Sequence, residues 1–271
     1  RGEVYIHDGD TDRYPLAVNR EYKMVYVVPK DVVEKDAVAV ELSRILNVDA
    51  GEIKEKLDQP NDPFEVIKKR LSEEEVSRIK ELRFEGVALL PEKYRYYPAG
   101  ELAAQVIGFA SLGEKGGAGG YGIEASLDAS LRGQTGTLSQ EKDASGRWLS
   151  LSDRSITHAE NGDSITLTLD RVIQYETEKI LKDSVDRFQA DRATAIVMDP
   201  KTGNILAMAS SPQFDPNNYS KEEDYAIFLN GAVSSAYEPG SIMKPLTMAI
   251  GIEEGKVSPT TEYTDTGSVT E

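Results

Sequence analysis

Ser241-Ile242-Met243-Lys244 places a hydroxyl and an amine three residues apart, directly after Tyr237-Glu238-Pro239-Gly240 and directly before Pro245. On a helix, positions i and i+3 share one face with β-carbons about 5–6 Å apart, so the Lys244 amine is within reach of the Ser241 oxygen without tertiary help. A base beside a hydroxyl is the layout of an activated serine nucleophile. The bare Ser-x-x-Lys spacing also occurs on ordinary solvated helix faces, and its flanks give it weight here. Pro239-Gly240 predicts a turn just before the serine, and Pro245 fits without strain only in a first helical turn, where its missing N–H would have had no partner. Ser241 is therefore expected at a helix N-terminus, where backbone N–H groups and the positive end of the helix dipole favour a developing negative charge. Leu246, Met248, Ala249, Ile250 and Ile252 make that helix apolar almost all round, which predicts burial in a core.

The elements that would carry this serine come late in the chain. Asn161-Gly162-Asp163 marks a boundary between an expected domain over 1–162 and another over 163–271. After it, Ile165, Leu167 and Leu169 alternate with threonines as a half-buried strand, and Asp170 is placed to cap a long helix with Ile173, Ile180, Leu181, Val185 and Phe188 on its apolar side. Ala193–Met198 and Ile205–Ala209 read as two strands joined by the turn residues Asp199–Asn204, a hairpin. A strand, a long helix, a hairpin and then the serine helix give an α+β order, with helices packed on an antiparallel sheet.

The earlier half has the same mixed texture. Val4–Ile6 and Lys23–Val28 read as strands separated by the turn-rich His7–Asp10 stretch. Val38, Leu42, Ile45 and Leu46 mark a helix face, and Asp49 is placed to cap a short helix carrying Ile53 and Leu57. Ser72-Glu73-Glu74-Glu75 is a capping box, flanked by Leu71 and Val76 for a hydrophobic staple, and it predicts a helix through about Glu85. Val87–Leu90 follows as a strand and Arg95-Tyr96-Tyr97-Pro98 as an extended segment. Gly113–Gly120 reads as a flexible loop, without the preceding strand or the spacing of a phosphate cradle.

Composition removes several function classes. The 271 residues leave room for two domains of ordinary size, and no window of about 18 consecutive apolar residues suggests a membrane span. A formal net charge of −16 argues against nucleic acid or anionic lipid as a partner. With no cysteine, disulfides and thiolate metal sites are excluded, which fits an extracytoplasmic bacterial setting. The only two histidines, His7 and His158, stand in polar surroundings and read as surface residues. No cofactor or metal site is predicted.

Several motifs in order resemble the class B penicillin-binding proteins, the monofunctional transpeptidases of peptidoglycan. Arg1-Gly2-Glu3-Val4-Tyr5 is similar to the segment that follows the family's membrane anchor. Arg95-Tyr96-Tyr97-Pro98, Gly108-Phe109, Gly122-Ile123-Glu124 and Leu131–Gly136 resemble its elongated, non-catalytic pedestal. Asp199–Gly203, Phe214-Asp215-Pro216-Asn217 and Tyr237–Pro245 resemble the opening of its transpeptidase domain, and the septal type is favoured over the elongation type. The resemblance implies a pedestal over 1–162 and the amino-terminal part of a penicillin-binding, β-lactamase-like domain over 163–271. It makes Ser241 the acylated nucleophile, with its N–H as one oxyanion donor, and Lys244 the proton acceptor. It also implies peptidoglycan stem peptides and β-lactams as ligands, and a polytopic membrane glycosyltransferase and division or elongation proteins as partners. The expected location is the extracytoplasmic face of a bacterial membrane, with an anchoring helix ahead of Arg1.

One departure stands out. The family's Ser-x-Asn and its pocket-lining Lys-Thr-Gly follow the serine, and neither occurs after Ser241. Lys201-Thr202-Gly203 precedes it and reads as a turn. The chain is thus expected to be a fragment, inactive alone, whose 1–162 portion folds independently while 163–271 is held loosely. Two other readings stay open: a non-catalytic scaffold that recruits cell-wall synthesis partners through the pedestal, and a β-lactam-hydrolysing or β-lactam-sensing serine protein.

Overall fold

Strand β2 (Asp12–Val27) organises the amino-terminal part of the molecule because three other strands pair with it. In this computed structural model all residues are described except 10–11, 60–61, 112–116, 135, 140–154, 265–266 and 268–271. The first half of β2 lies antiparallel to β1 (Val4–Asp8), and its second half lies antiparallel to β3 (Glu65–Leu71) on one side. On the other side β4 (Val87–Tyr96) follows it from Val18 to Val27. β2 is much longer than the Lys23–Val28 strand expected, because β1 holds Asp12–Ala17 and β4 holds Val18–Tyr22 extended despite weak local preference. His7 is exposed as expected, although it sits in β1.

Helices cover one face of this sheet. α1 (Lys35–Leu46) turns Val38, Leu42, Ile45 and Leu46 inward, and α2 (Ala50–Leu57) starts where the Asp49 carboxylate accepts the Glu52 N–H at 3.1 Å. α3 (Glu73–Leu82) opens with the capping box: Ser72 Oγ accepts the Glu75 N–H at 3.2 Å, and Glu75 Oε2 accepts the Ser72 N–H at 2.7 Å. It stops three residues short of Glu85, because Arg83 takes a left-handed conformation that ends the helix. These helices and the strands enclose one apolar core, including Val25, Val27, Leu42, Leu46, Ile53, Leu57 and Ile79.

Short elements follow: α4 (Ala104–Ile107), α5 (Gly122–Ser126), α6 (Asp128–Arg132) and the paired strands β5 (Thr137–Ser139) and β6 (Ser155–Thr157). Of the predicted glycine-rich loop, residues 113–116 lie outside the described residues, and Gly119 bridges to Ala110. β7 (Ile165–Asp170) then lies parallel to β1, which makes the large sheet mixed. Asp170 caps α7 (Arg171–Phe188), its carboxylate accepting the N–H groups of Val172 and Ile173 at 2.9 and 3.0 Å. Antiparallel β8 (Ala193–Met198) and β9 (Ile205–Ser211) form the predicted hairpin. A second core joins Val4, Ile6 and Leu16 to Phe109, Leu131, Leu169, Phe214 and Phe228, residues from both sides of the Asn161–Asp163 segment.

The apolar side expected for α7 is corrected in part. Leu181 is buried, but Ile180 and Phe188 are exposed. The inner stripe centres on Gln174 and Leu181, because the Gln174 amide pairs with the backbone of β9 at Met208, donating at 3.0 Å and accepting at 2.8 Å. A side chain that completes a strand's hydrogen bonding displaces an apolar one from that face. Residues Arg1–Val233 make one compact unit and Ser234–Glu271 a second. The short α8 (Gly231–Ser234) ends at that division, and the second unit carries α9 (Met243–Glu253) behind a 3-10 turn, Gly240–Ile242.

Candidate active site

Ser241 and Lys244 sit where local chemistry alone would put them. Gly240 adopts φ +56, a left-handed value open to glycine, and turns the chain into the 3-10 turn that holds Ser241. Lys244 and Pro245 are the second and third residues of α9, so the proline occupies the first turn, where no N–H is required. Ile242 precedes the helix with an apolar side chain and offers no side-chain cap, leaving the first-turn N–H groups to other acceptors. Both Ser241 and Lys244 are exposed, and among the described residues neither side chain makes a hydrogen bond or ion pair. The expected burial of this helix is corrected within its unit: Leu246, Met248 and Ile250 are 55%, 52% and 64% exposed. A helix apolar on every side needs neighbours on every side, and among the described residues of Ser234–Glu271 no other α-helix or strand lies wholly within the unit to cover α9.

Lys201-Thr202-Gly203 lies in the β8–β9 turn. Asp199 organises it, its carboxylate accepting the Lys201 N–H at 2.9 Å and the Thr202 hydroxyl at 2.8 Å, while Gly203 takes φ +77. Those two donors hold the Asp199 carboxyl below the usual aspartate pKa. Among the described residues the Lys201 side chain makes no hydrogen bond or ion pair, and the residue serves the hairpin through its backbone N–H.

Three motifs far apart in sequence meet at one buried carboxylate. Glu124 is fully buried, and its Oε2 accepts Arg1 Nε at 2.7 Å while its Oε1 accepts Arg95 Nε at 2.6 Å. Arg1 also donates to Asp128 Oδ1 at 2.7 Å and to the Glu124 carbonyl at 2.9 Å. Both guanidiniums are 5% exposed, so the cluster is a desolvated ion network with its charges paired. The Tyr97 hydroxyl accepts the Ala110 N–H at 2.7 Å, and burial, followed by the Glu124 charge, pushes that phenol well above its ordinary pKa. Burial opposes ionisation of Asp128, but Arg1, the Gly119 N–H and Arg132 outweigh it and hold its carboxyl low. Glu124 was visible in the sequence only as part of a motif; nothing in its local pattern marks it for burial.

An amide and a carboxylate tie later segments to this region. Asn217 accepts the Tyr97 N–H at 3.0 Å and donates to the Tyr97 carbonyl at 2.9 Å, so Phe214–Asn217 docks against the segment that follows β4. Glu178 of α7 accepts the Ala103 N–H at 2.8 Å and Gln174 Nε2 at 2.6 Å; burial nevertheless pushes its carboxyl above the ordinary glutamate pKa. Gln174 and Glu178 were missed by sequence reasoning because both are polar residues on the helix face that polar residues normally avoid.

The family described as Penicillin-binding Protein dimerisation domain matches residues 1–167, and the Penicillin binding protein transpeptidase domain matches residues 193–271. The chain belongs to the class B penicillin-binding proteins. Stage V sporulation protein D of Bacillus subtilis is 30% identical over 260 residues, covering 95% of this chain and 39% of the relative. The Probable peptidoglycan D,D-transpeptidase PenA of Neisseria gonorrhoeae is 34% identical over 259 residues, covering 94% of this chain and 43% of the relative. This chain therefore spans about two-fifths of the length of these curated relatives. A crystal structure of Penicillin Binding Protein 2X from Streptococcus thermophilus shares the fold, with a TM-score of 0.70 at 24% identity over 100% of this chain and 43% of that one. A peptidoglycan synthetase from Bifidobacterium adolescentis aligns with a TM-score of 0.65 at 26% identity, over 100% of this chain and 53% of that one.

Proposed function

We propose that residues 1–162 are the pedestal and residues 163–271 the amino-terminal part of a serine D,D-transpeptidase that cross-links peptidoglycan. Ser241 Oγ attacks the carbonyl of the penultimate D-Ala of a stem peptide while Lys244 takes its proton, and the terminal D-Ala departs as the amine, carrying a proton. An amine from a second stem peptide then attacks the serine ester, forms the cross-link and frees Ser241. For Lys244 to act as a base near neutral pH, its amine has to lose water or lie beside positive charge. The observation that carries the reading is the Ser241-x-x-Lys244 pair at the start of α9, behind Pro239-Gly240 and inside the residues that match the transpeptidase family. β-Lactams are ligands on the same reading, because they present an acylating carbonyl to the same serine. Its setting is the outer face of a bacterial membrane, among division or elongation proteins and a membrane glycosyltransferase.

A second reading, a non-catalytic scaffold, draws on the contrast between the buried, ion-paired Arg1–Glu124–Arg95 cluster and the exposed Ser241 and Lys244, whose side chains make no hydrogen bond or ion pair among the described residues. Fluorescent penicillin separates the two when applied to a polypeptide as long as the relatives. Stable labelling that disappears in Ser241→Ala, slows by about 10²–10⁴-fold in Lys244→Ala and is unchanged in Lys201→Ala is expected of the transpeptidase. An unlabelled protein favours the scaffold, and rapid release of the label a β-lactam hydrolase. The 271-residue chain, which holds no Ser-x-Asn or Lys-Thr-Gly after Ser241, should label weakly at best; robust labelling would show that Ser241 acts without them.

A further inference from the structure

Among the described residues β4 is paired along its whole length, but on one side only, to β2. The Val28 N–H donates to the Gly86 carbonyl at 2.7 Å, and the register continues from Val27↔Val87 to Val18↔Tyr96. In an antiparallel ladder, alternate residues exchange hydrogen bonds with the partner strand and those between turn their peptide groups away. Ala88 and Leu90 therefore face β2, whereas Val87, Leu89 and Pro91 turn outward. Pro91 has no N–H to offer and occupies an outward position, which is where an edge strand tolerates proline. The Val87 N–H is used at 3.4 Å by the Phe84 carbonyl. Among the described residues the outward groups of Leu89 and the Val87 carbonyl have no strand beside them.

An open groove of about 290 Å³ runs along this same stretch. It is lined by β4 at Val87–Leu89, by Ile79 and Leu82 of α3 and by Phe84, with Lys80 and Arg83 as its only charged lining residues. Val87 and Leu89 also pack against the core beneath the helices, so the groove adjoins both that core and the edge strand. The groove thus combines unpaired backbone, an apolar floor continuous with the core under α1–α3, and two exposed cations in a chain whose net charge is −16.

We propose that this edge docks an extended segment of a partner protein, which adds a short strand to β4 at Val87–Leu89, sets apolar side chains in the groove and an acidic side chain against Lys80 and Arg83. The charge of the rim selects an acidic segment, and the outward backbone selects an extended one. A second copy of this chain fits less well. Edge-to-edge pairing of two β4 strands would draw Pro91 into the new ladder and set two chains of charge −16 side by side. The site is independent of Ser241 and goes beyond the acyl-transfer reading.

The test uses the 271-residue chain and a fluorescein-labelled peptide of alternating valine and glutamate, with a control in which proline replaces alternate valines. Saturable binding by anisotropy, slowed amide exchange at Leu89, and an affinity loss of about tenfold in Lys80→Glu/Arg83→Glu are expected, while Lys30→Glu changes nothing. Both rim residues are exposed but lie at the carboxyl end of α3, so the double variant should unfold only slightly below the parent, and that measurement accompanies the binding curve. The proposal is overturned if the peptide does not bind, if the proline control binds equally, if Leu89 exchange is unchanged at saturation, or if the charge reversals leave affinity intact. Concentration-dependent protection of Leu89 without peptide, matched by dimers in sedimentation, would assign the edge to self-association instead.

Discussion

The Arg1–Glu124–Arg95 cluster and the start of α9 each gather charged or reactive side chains, but they are held in opposite ways. In the first, three groups from distant parts of the chain are desolvated and joined by ion pairs through Glu124, so their geometry is fixed by everything around them. In the second, Ser241 and Lys244 are placed by a glycine turn, a proline and three residues of sequence spacing, and both stand in solvent. The lesson is that the spacing of a hydroxyl and an amine can be encoded locally, whereas a shifted protonation state cannot. Desolvation and neighbouring charge come only from tertiary packing.

The largest expected effect in this chain falls on the buried cluster. Glu124→Gln keeps the shape but leaves two nearly buried guanidiniums without their shared counter-charge, and should cost about 3–5 kcal/mol in a urea unfolding curve. A loss below about 1 kcal/mol would mean that water reaches the cluster, and the contrast with α9 would weaken. Next comes a matched pair of leucines. Leu46→Ala, at a fully buried position under β2, should cost about 2–5 kcal/mol, whereas Leu246→Ala, 55% exposed on α9, should stay within about 0.5 kcal/mol. Equal losses would show that α9 is packed in solution as firmly as α1.

A smaller effect is expected with pH. Asp128 is held low in the fold, so its ionised form contributes stability above the unfolded aspartate value near about 3.9, and that contribution is lost as pH falls through the depressed one. Asp128→Asn should therefore remove about 1.5–3 kcal/mol at neutral pH and flatten the acid limb of the stability curve below about pH 4. Glu178 has the opposite sign: burial raises its pKa, so its contribution is full at low pH and is lost as pH rises from the ordinary glutamate value through the raised one. A steeper acid limb in Asp128→Asn than in the parent would contradict the assignment.

The second core also bears on the proposed boundary. Because Leu169, Phe214 and Phe228 complete the packing around Val4, Ile6 and Phe109, a 1–162 fragment keeps the core beneath α1–α3 intact and leaves the other open. The Asn161–Asp163 punctuation is a change of texture in sequence, and hydrophobic residues on its two sides share one interior.

Much of the local structure was readable from the chain. The Ser72–Glu75 capping box, the Asp49 and Asp170 caps, the β8–β9 hairpin with its Lys201-Thr202-Gly203 turn, and the turn-then-helix around Ser241 all rest on contacts a few residues apart, which sequence spacing specifies directly. The full length of β2, the burial of Gln174 and the exposure of Ile180 were not readable, because each depends on which strand or helix arrives beside it. The sequence by itself determined a serine and a lysine on one helical face. Only the tertiary structure decided that Glu124, a residue with no local mark of burial, would draw Arg1 and Arg95 together. Pairing charges across 123 and 29 residues requires the whole sheet to be in place before the Coulomb gain exceeds the cost of removing water.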